Sequence, residues 1–326
     1  MLPAVRRSAI GFPFTSPPCL GVVLAFLVVA AAARGATPAP ASWSLHEGDR
    51  VVFLGDALVE REGERGAIET ALVATHPDAD LTFRNLGWSG DTVWAESRGV
   101  FDQPSAGYAR LLPLVDSLEP AVVVIAYGRN ESFAGAAGLA PFRDQLARLC
   151  RDLRAPRQER GHDPLRLVLV TPPPFEATPP LSAATAAARN AALSRYAAAI
   201  RDVALEVEAG IVDLFDGVVA RLPAGERLTE NGVHLTDAGY EAAAAVFAAA
   251  CGRPLSGDHA GRTAALRDAV NEKNRLFFHR WRPANETYLF LFRRHEQGNN
   301  AVEILQFDPL VEAAEAKVRD LARETR

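Results

Sequence analysis

Five short apolar runs recur along the chain, at residues 50–55, 81–87, 121–127, 166–171 and 210–214. The third, "AVVVIAY", has no polar break, as expected of a strand covered on both faces. Longer stretches with helical spacing separate the runs, notably 63–75, 138–153, 183–208 and 236–250. Strand and helix alternate. This order predicts an α/β fold, a three-layer α/β/α sandwich around a five-stranded parallel sheet, with core residues 48–252. Such sheets bind ligands beyond the carboxyl ends of their strands.

The two ends of the chain have a different pattern. Arg6 and Arg7 precede an apolar run from Leu20 to Ala33, short for a bilayer span and followed by small residues. Residues 1–36 are therefore expected to be a secretory signal peptide cut near Ala33 to Ala36, with 37–47 as linker. Export to the periplasm, the cell surface or the medium follows, without stable membrane insertion after cleavage; an uncleaved anchor is the alternative. Cys19 precedes the apolar run, which argues against lipid attachment. In an oxidising compartment Cys150 and Cys251 are free to pair, although two cysteines imply no disulfide framework and no metal site.

Residues 253–326 are predicted to form a C-terminal helical extension. The stretch "NRLFFHRWRPANETYLFLFRRHEQGNN" is too aromatic for a flexible tail. Either His279, Arg280, Trp281, Arg282 and His295 reach the cleft mouth, or a helix pair seals one edge of the sheet with its arginines lying over apolar surface. The last helix, about 308–325, is amphipathic and either closes the domain or pairs with another subunit. Asn285-Glu286-Thr287 fits a glycosylation acceptor.

Composition adds bounds. With 326 residues, 48% hydrophobic and 23% charged, the chain can bury one large core and an appendage. A formal charge of −5 gives no reason to expect nucleic acid or an acidic membrane as partner. No internal repeat or heptad array is present.

The chemistry-bearing residues fall just after the strands. "VVFLGDALVERE" stops at Gly55-Asp56 and turns into a helix, so Ala57 occupies the first helical turn, where free N–H groups favour developing negative charge. That is a place for a nucleophile, and alanine has none. "NLGWSGDT" follows the second strand, "YGRNES" the third, and "TENGVHLTDAGY" sets His234 before a helix starting near Thr236.

Together and in this order, these motifs resemble the SGNH hydrolases, the GDSL esterase and lipase family, from about residue 48 to 250. The resemblance implies a flavodoxin-like sandwich and ester hydrolysis without cofactor or metal. It places Ala57 at the nucleophile position, Ala57, Gly90 and Asn130 as oxyanion-hole donors, and Asn231 with His234 at the Asp-x-x-His pair. Two triad positions depart from the family: serine has become Ala57 and aspartate has become Asn231. In serine proteases such losses lower turnover by about 10⁶ and about 10⁴, non-additively.

Other residues have two readings each. Asp56 either caps the following helix or positions the loop. Ser89 is either a relocated nucleophile or a turn hydroxyl. Glu230 either replaces the lost carboxylate or points away from His234. Asp91 is a further cleft candidate, and Arg129 and Glu131 flank the donor asparagine as loop charges or selectivity residues. Two functions stay open. The chain either hydrolyses an ester, such as an O-acetyl group on a carbohydrate, through water or another side chain, or it is a pseudoenzyme holding a glycan or carboxylate. Assembly through the C-terminal helices is a third, weaker option.

Overall fold

The computed structural model describes residues 43–255, 257, 259–296 and 300–325. The expected signal peptide, Cys19 and most of the expected linker lie outside the described residues. The linker's last residues belong to the fold, because Trp43 and Leu45 are buried in the core.

Strands β1 (Arg50–Gly55), β2 (Thr82–Gly87), β3 (Val122–Ala126), β4 (Arg166–Thr171) and β5 (Gly210–Asp213) form one parallel sheet in the order β2-β1-β3-β4-β5. Helices α1 (Ala57–Arg65), α2 (Ala67–Ala74), α3 (Ser105–Ser117), α4 (Leu139–Glu159), α5 (Ala183–Glu206), the short turn α6 (Leu214–Gly217) and α7 (Asp237–Ala250) connect and follow the strands. Side-chain alternation splits the core in two. Val51, Phe53, Val124 and Val170 pack with α2 and α7, while Val52, Leu54, Ile125 and Leu169 pack with α3, α4 and α5. The expected three-layer sandwich is present.

Cys251 lies in the first cluster and Cys150 in the second, both free. The sheet stands between them, so the pairing left open by the sequence does not form.

One predicted helix is two. The pattern over 63–75 hides a break at Gly66, which has φ +61 and closes α1 by donating its N–H to the Glu62 carbonyl. A Cβ at Gly66 would sit 2.2 Å from Asn271 Oδ1, so both conformation and space select glycine. Glu62 caps the new helix, accepting from Ile68 and Glu69 N–H at 2.7 and 3.1 Å, and burial pushes its carboxyl up to about 8.

The extension contains α8 (His259–Arg262), α9 (Ala264–Trp281), α10 (Glu286–Leu289) and α11 (Phe307–Glu324). Helices α9 and α11 pack on each other and over the β2 edge. Lys273 is buried there, donating to Glu69 Oε2 at 2.9 Å and to the Phe83 carbonyl of β2 at 3.2 Å. Arg84 of β2 pairs with Glu315 of α11. The edge-sealing reading of the extension therefore holds, and the last helix closes on its own domain. Among the described residues no helix is long and apolar enough to cross a membrane.

Candidate functional site

The loops after the first three strands are bound together by backbone and buried side chains. Trp88 N–H donates to the Gly55 carbonyl at 3.0 Å, and Asn130 Nδ2 donates to the Asp91 carbonyl at 2.7 Å. Glu131 accepts from Val93 N–H and Gly128 N–H, at 2.7 and 2.8 Å. Burial raises its carboxyl to about 7. Glu131 thus rivets two loops rather than facing a ligand. Asp91 is fully buried and accepts from Arg98 at 2.7 Å and Tyr127 at 2.8 Å. It supports the site from below and is not a cleft residue.

Asp56 caps α1, accepting from Leu58 N–H at 3.0 Å. It is buried, and that burial raises its carboxyl to about 6 against the lowering effect of Arg129. Ala57 then opens α1. Gly90 sits on a turn at φ +78, a conformation that costs glycine little. Among the described residues the N–H groups of Ala57 and Gly90 make no hydrogen bond. With the Asn130 amide they form a group of donors at the carboxyl end of the sheet.

The histidine loop is tied to the same place from the other side. Thr236 caps α7, whose Tyr240 hydroxyl donates to the Leu58 carbonyl of α1 at 2.9 Å. Glu230 bridges Arg61 and Arg65 at 2.8 and 2.9 Å. Its carboxylate is therefore held by arginines, and it is Asn231 rather than Glu230 that stands against His234 Nδ1. Ser89 is exposed, and its N–H donates to Glu60; among the described residues its hydroxyl has no partner that could activate it.

The Asn231–His234 pair decides the chemistry. Asn231 Oδ1 accepts from Val233 N–H at 3.1 Å and His234 N–H at 3.0 Å. Those two donors fix the amide orientation, so it is Nδ2 that faces His234 Nδ1, at 3.0 Å. An amide nitrogen only donates. Nδ1 must accept, and the ring proton therefore resides on Nε2. Burial, Arg61 and Arg129 hold the imidazole below its ordinary pKa, so it is neutral near pH 7. His234 presents an N–H, not a lone pair, to whatever lies beyond it.

Arg129 is buried, donates through Nη2 to the Pro173 carbonyl, lies 5.0 Å over the Phe175 ring, and leaves Nη1 without a partner. In the sequence it reads as a flanking loop charge or a selectivity residue. Tyr127 and Arg98, which hold Asp91, were not marked; Tyr127 directly follows a strand, but Arg98 gives no sequence signal.

From the extension, Arg282 stacks 3.7 Å from the Trp88 ring and pairs with Glu60 at 2.8 Å, while Trp281 meets Trp88 edge-on at 5.9 Å. These two residues border the loops of the site. The others do not: Arg280 pairs with Asp308, His279 lies against Phe307, and His295 is exposed. Asn285 is exposed. Among the described residues no cluster of His, Cys, Asp and Glu could hold a metal ion.

A parallel sandwich with these four loops at its carboxyl edge is the architecture of the SGNH-type hydrolases. Residues 53–242 match the GDSL-like Lipase/Acylhydrolase family, which is more than half of the 326-residue chain, and the protein belongs to that family. Several solved structures are similar to it. A gut microbial diltiazem-metabolizing enzyme is 18% identical at TM-score 0.49, with 66% of this chain and 49% of that one covered. An alpha/beta hydrolase enzyme from the metagenome of Lake Arreo, Spain, is 21% identical at TM-score 0.48, covering 65% and 99%. A catalytic mutant of an acetylxylan esterase from Geobacillus stearothermophilus is 20% identical at TM-score 0.48, covering 64% and 97%. The chain thus spans about half of the first and nearly all of the other two. No curated protein matches it in sequence.

Proposed function

We propose that this protein is an exported pseudoenzyme of the esterase lineage, which binds the acyl or carboxylate group of a substituted carbohydrate in the old catalytic cleft without cleaving it. The observation that carries this reading is the 3.0 Å contact from Asn231 Nδ2 to His234 Nδ1. Ester hydrolysis through this site needs an oxygen nucleophile and a base to take its proton. Ala57 offers no oxygen. His234, protonated at Nε2, cannot take a proton from a serine or from water until it changes tautomer. What remains is a group of donors: the N–H groups of Ala57 and Gly90, the Asn130 amide and the His234 Nε2–H. Such a set suits a carbonyl or carboxylate oxygen. Family membership supports an acyl ligand, because acylhydrolases bind that group.

Export rests on Arg6, Arg7 and the apolar run from Leu20 to Ala33, with residues 1–36 removed and 253–326 retained as the extension. N-terminal sequencing of the native protein should find a start between Ala33 and Ser42; a start at Met1 in a membrane fraction would replace export by anchoring. For the site, the test is a serine-directed phosphonate together with acetyl, butyryl and aryl esters. The protein is expected to stay unlabelled and at background rate. Stoichiometric labelling at Ser89, or hydrolysis abolished by His234→Ala, would return it to the enzymes.

A further inference from the structure

The wall of the cleft beside β4 ends in an aromatic ledge with no role in the site described above. Phe133 follows Asn130 on the short turn Glu131–Ala134, and the residue is 52% exposed. Phe175 supports it edge-on with ring centroids 6.0 Å apart. Asn190 of α5 clamps Phe175, accepting from its N–H and donating to its carbonyl, both at 2.8 Å. Phe175 forms a small apolar cluster with Ala186 and Leu193, against which Leu181 and Val233, the neighbour of His234, pack. The ledge is continuous with the histidine loop on one side and with the donor asparagine on the other.

Arg189 lies over the Phe133 ring, with Cζ 4.4 Å from its centroid. Among the described residues its guanidinium makes no hydrogen bond or ion pair. Other ring-stacked arginines supply the comparison. Arg84, Arg98, Arg148, Arg282 and Arg293 each lie over an aromatic ring and each also pair with a carboxylate. A stacked guanidinium uses its face on the ring and keeps its rim of N–H donors for a planar acceptor. Among the described residues only Arg189 and Arg129, which stacks on the supporting Phe175, lack that acceptor. Both stand in this one wall.

We infer that Phe133 and Arg189 form a subsite for a carboxylate-bearing sugar, a uronic acid unit, whose pyranose ring packs on Phe133 while its carboxylate takes the guanidinium edge of Arg189. The inference rests on the reading of the cleft as a carbohydrate site and names the class of carbohydrate. A planar carboxylate matches the fork of the guanidinium in a bidentate pair. The exposed ring supplies the apolar surface that a pyranose C–H face covers.

Calorimetric titration of the mature protein with an oligogalacturonate, its methyl ester and a neutral xylo-oligosaccharide tests this. The acid is expected to bind about 10- to 100-fold more tightly than its methyl ester, the usual worth of a charged hydrogen-bonded pair. Arg189→Gln should bring the acid down to the level of the ester and leave the ester unchanged. Arg189→Lys should recover part of the loss, and Phe133→Ala should weaken acid and ester alike by about tenfold. Both side chains stand at the surface, so folding of the variants is checked simply by matched thermal melts. Equal binding of acid and ester, indifference to Arg189→Gln, or no binding of any of the three would overturn the inference. The cleft reading fails separately: in that case His234→Ala leaves the acid's affinity unchanged while Arg189→Gln still lowers it.

Discussion

The donor half and the histidine half of the cleft are built from opposite materials. Behind Ala57, Gly90 and Asn130 stands a buried polar network: Asp91 with Arg98 and Tyr127, and Glu131 with two backbone N–H groups. Asn231, by contrast, is exposed, and among the described residues the hydrogen bonds of its side chain reach only to Val233 and His234. In the first half the groups that shape the site also hold three loops together, so removing one leaves a buried charge without its partner. In the second, Asn231 stands where the family resemblance expects an aspartate, and under the proposed reading its amide sets which imidazole nitrogen carries the proton. Under the proposed reading, the site keeps its geometry where the fold needs the same atoms and loses its chemistry where it does not.

The sharpest way to break this contrast is repair. Ala57→Ser with Asn231→Asp supplies a hydroxyl and turns His234 into the Nε2-acceptor tautomer, and hydrolysis of an aryl acetate should appear. Ala57→Ser alone should stay about 10⁴ below the double variant, because a serine facing the wrong tautomer is barely activated. A repaired protein that folds but remains at background would mean that the donor half has lost its shape as well.

Stability should divide along the same line. Asp91→Ala leaves Arg98 buried and unpaired and is expected to cost about 3–5 kcal/mol in a urea melt. Asn231→Asp should change the unfolding free energy by no more than about 0.5 kcal/mol. Comparable losses from the two would erase the distinction between the halves.

Within the repaired protein, Asn130→Ala should lower the regained rate by about 10² to 10³, the usual effect of one oxyanion donor. A smaller loss would show that the amide, already bonded to the Asp91 carbonyl, does not reach the developing charge.

The smallest effect is spectroscopic. In the native protein His234 should titrate below the ordinary histidine value, because burial, Arg61 and Arg129 all disfavour the imidazolium. Nitrogen chemical shifts should show the proton on Nε2. Asn231→Asp puts a carboxylate against Nδ1, which favours the charged ring, so the titration should move up in pH. A downward shift, or a proton already on Nδ1 in the native ring, would remove the reason given for inactivity.

Much of this molecule is legible in the chain. Apolar runs with no polar break mark strands covered on both faces, and the predicted strand positions agree with the sheet to within a residue or so. The motifs after those strands carry their own spacing, so Ala57, Gly90, Asn130, Asn231 and His234 are expected as site residues without coordinates, and the structure sets all five in segments that follow the strands. That Ala57 carries no hydroxyl is likewise a sequence fact, which no fold can change. Local pattern failed at Gly66, where the helical period runs on through a left-handed break at a position where Asn271 of the extension leaves no room for a Cβ.

What only the tertiary structure decided concerns charges and their partners. Asp91, Glu131 and Glu230 read alike in the sequence as acids near a cleft; two of them are buried rivets and the third is held by arginines. Arg189 looks like any helix-surface arginine until Phe133 is found beneath it without a carboxylate. The reason is range. Periodicity and spacing record what a residue does with its neighbours in the chain, whereas Arg129 meets Phe175, Arg282 meets Glu60 and Arg189 meets Phe133 only after the sheet has been assembled. Burial then sets which of those charges must be paired inside the protein and which are left for a ligand.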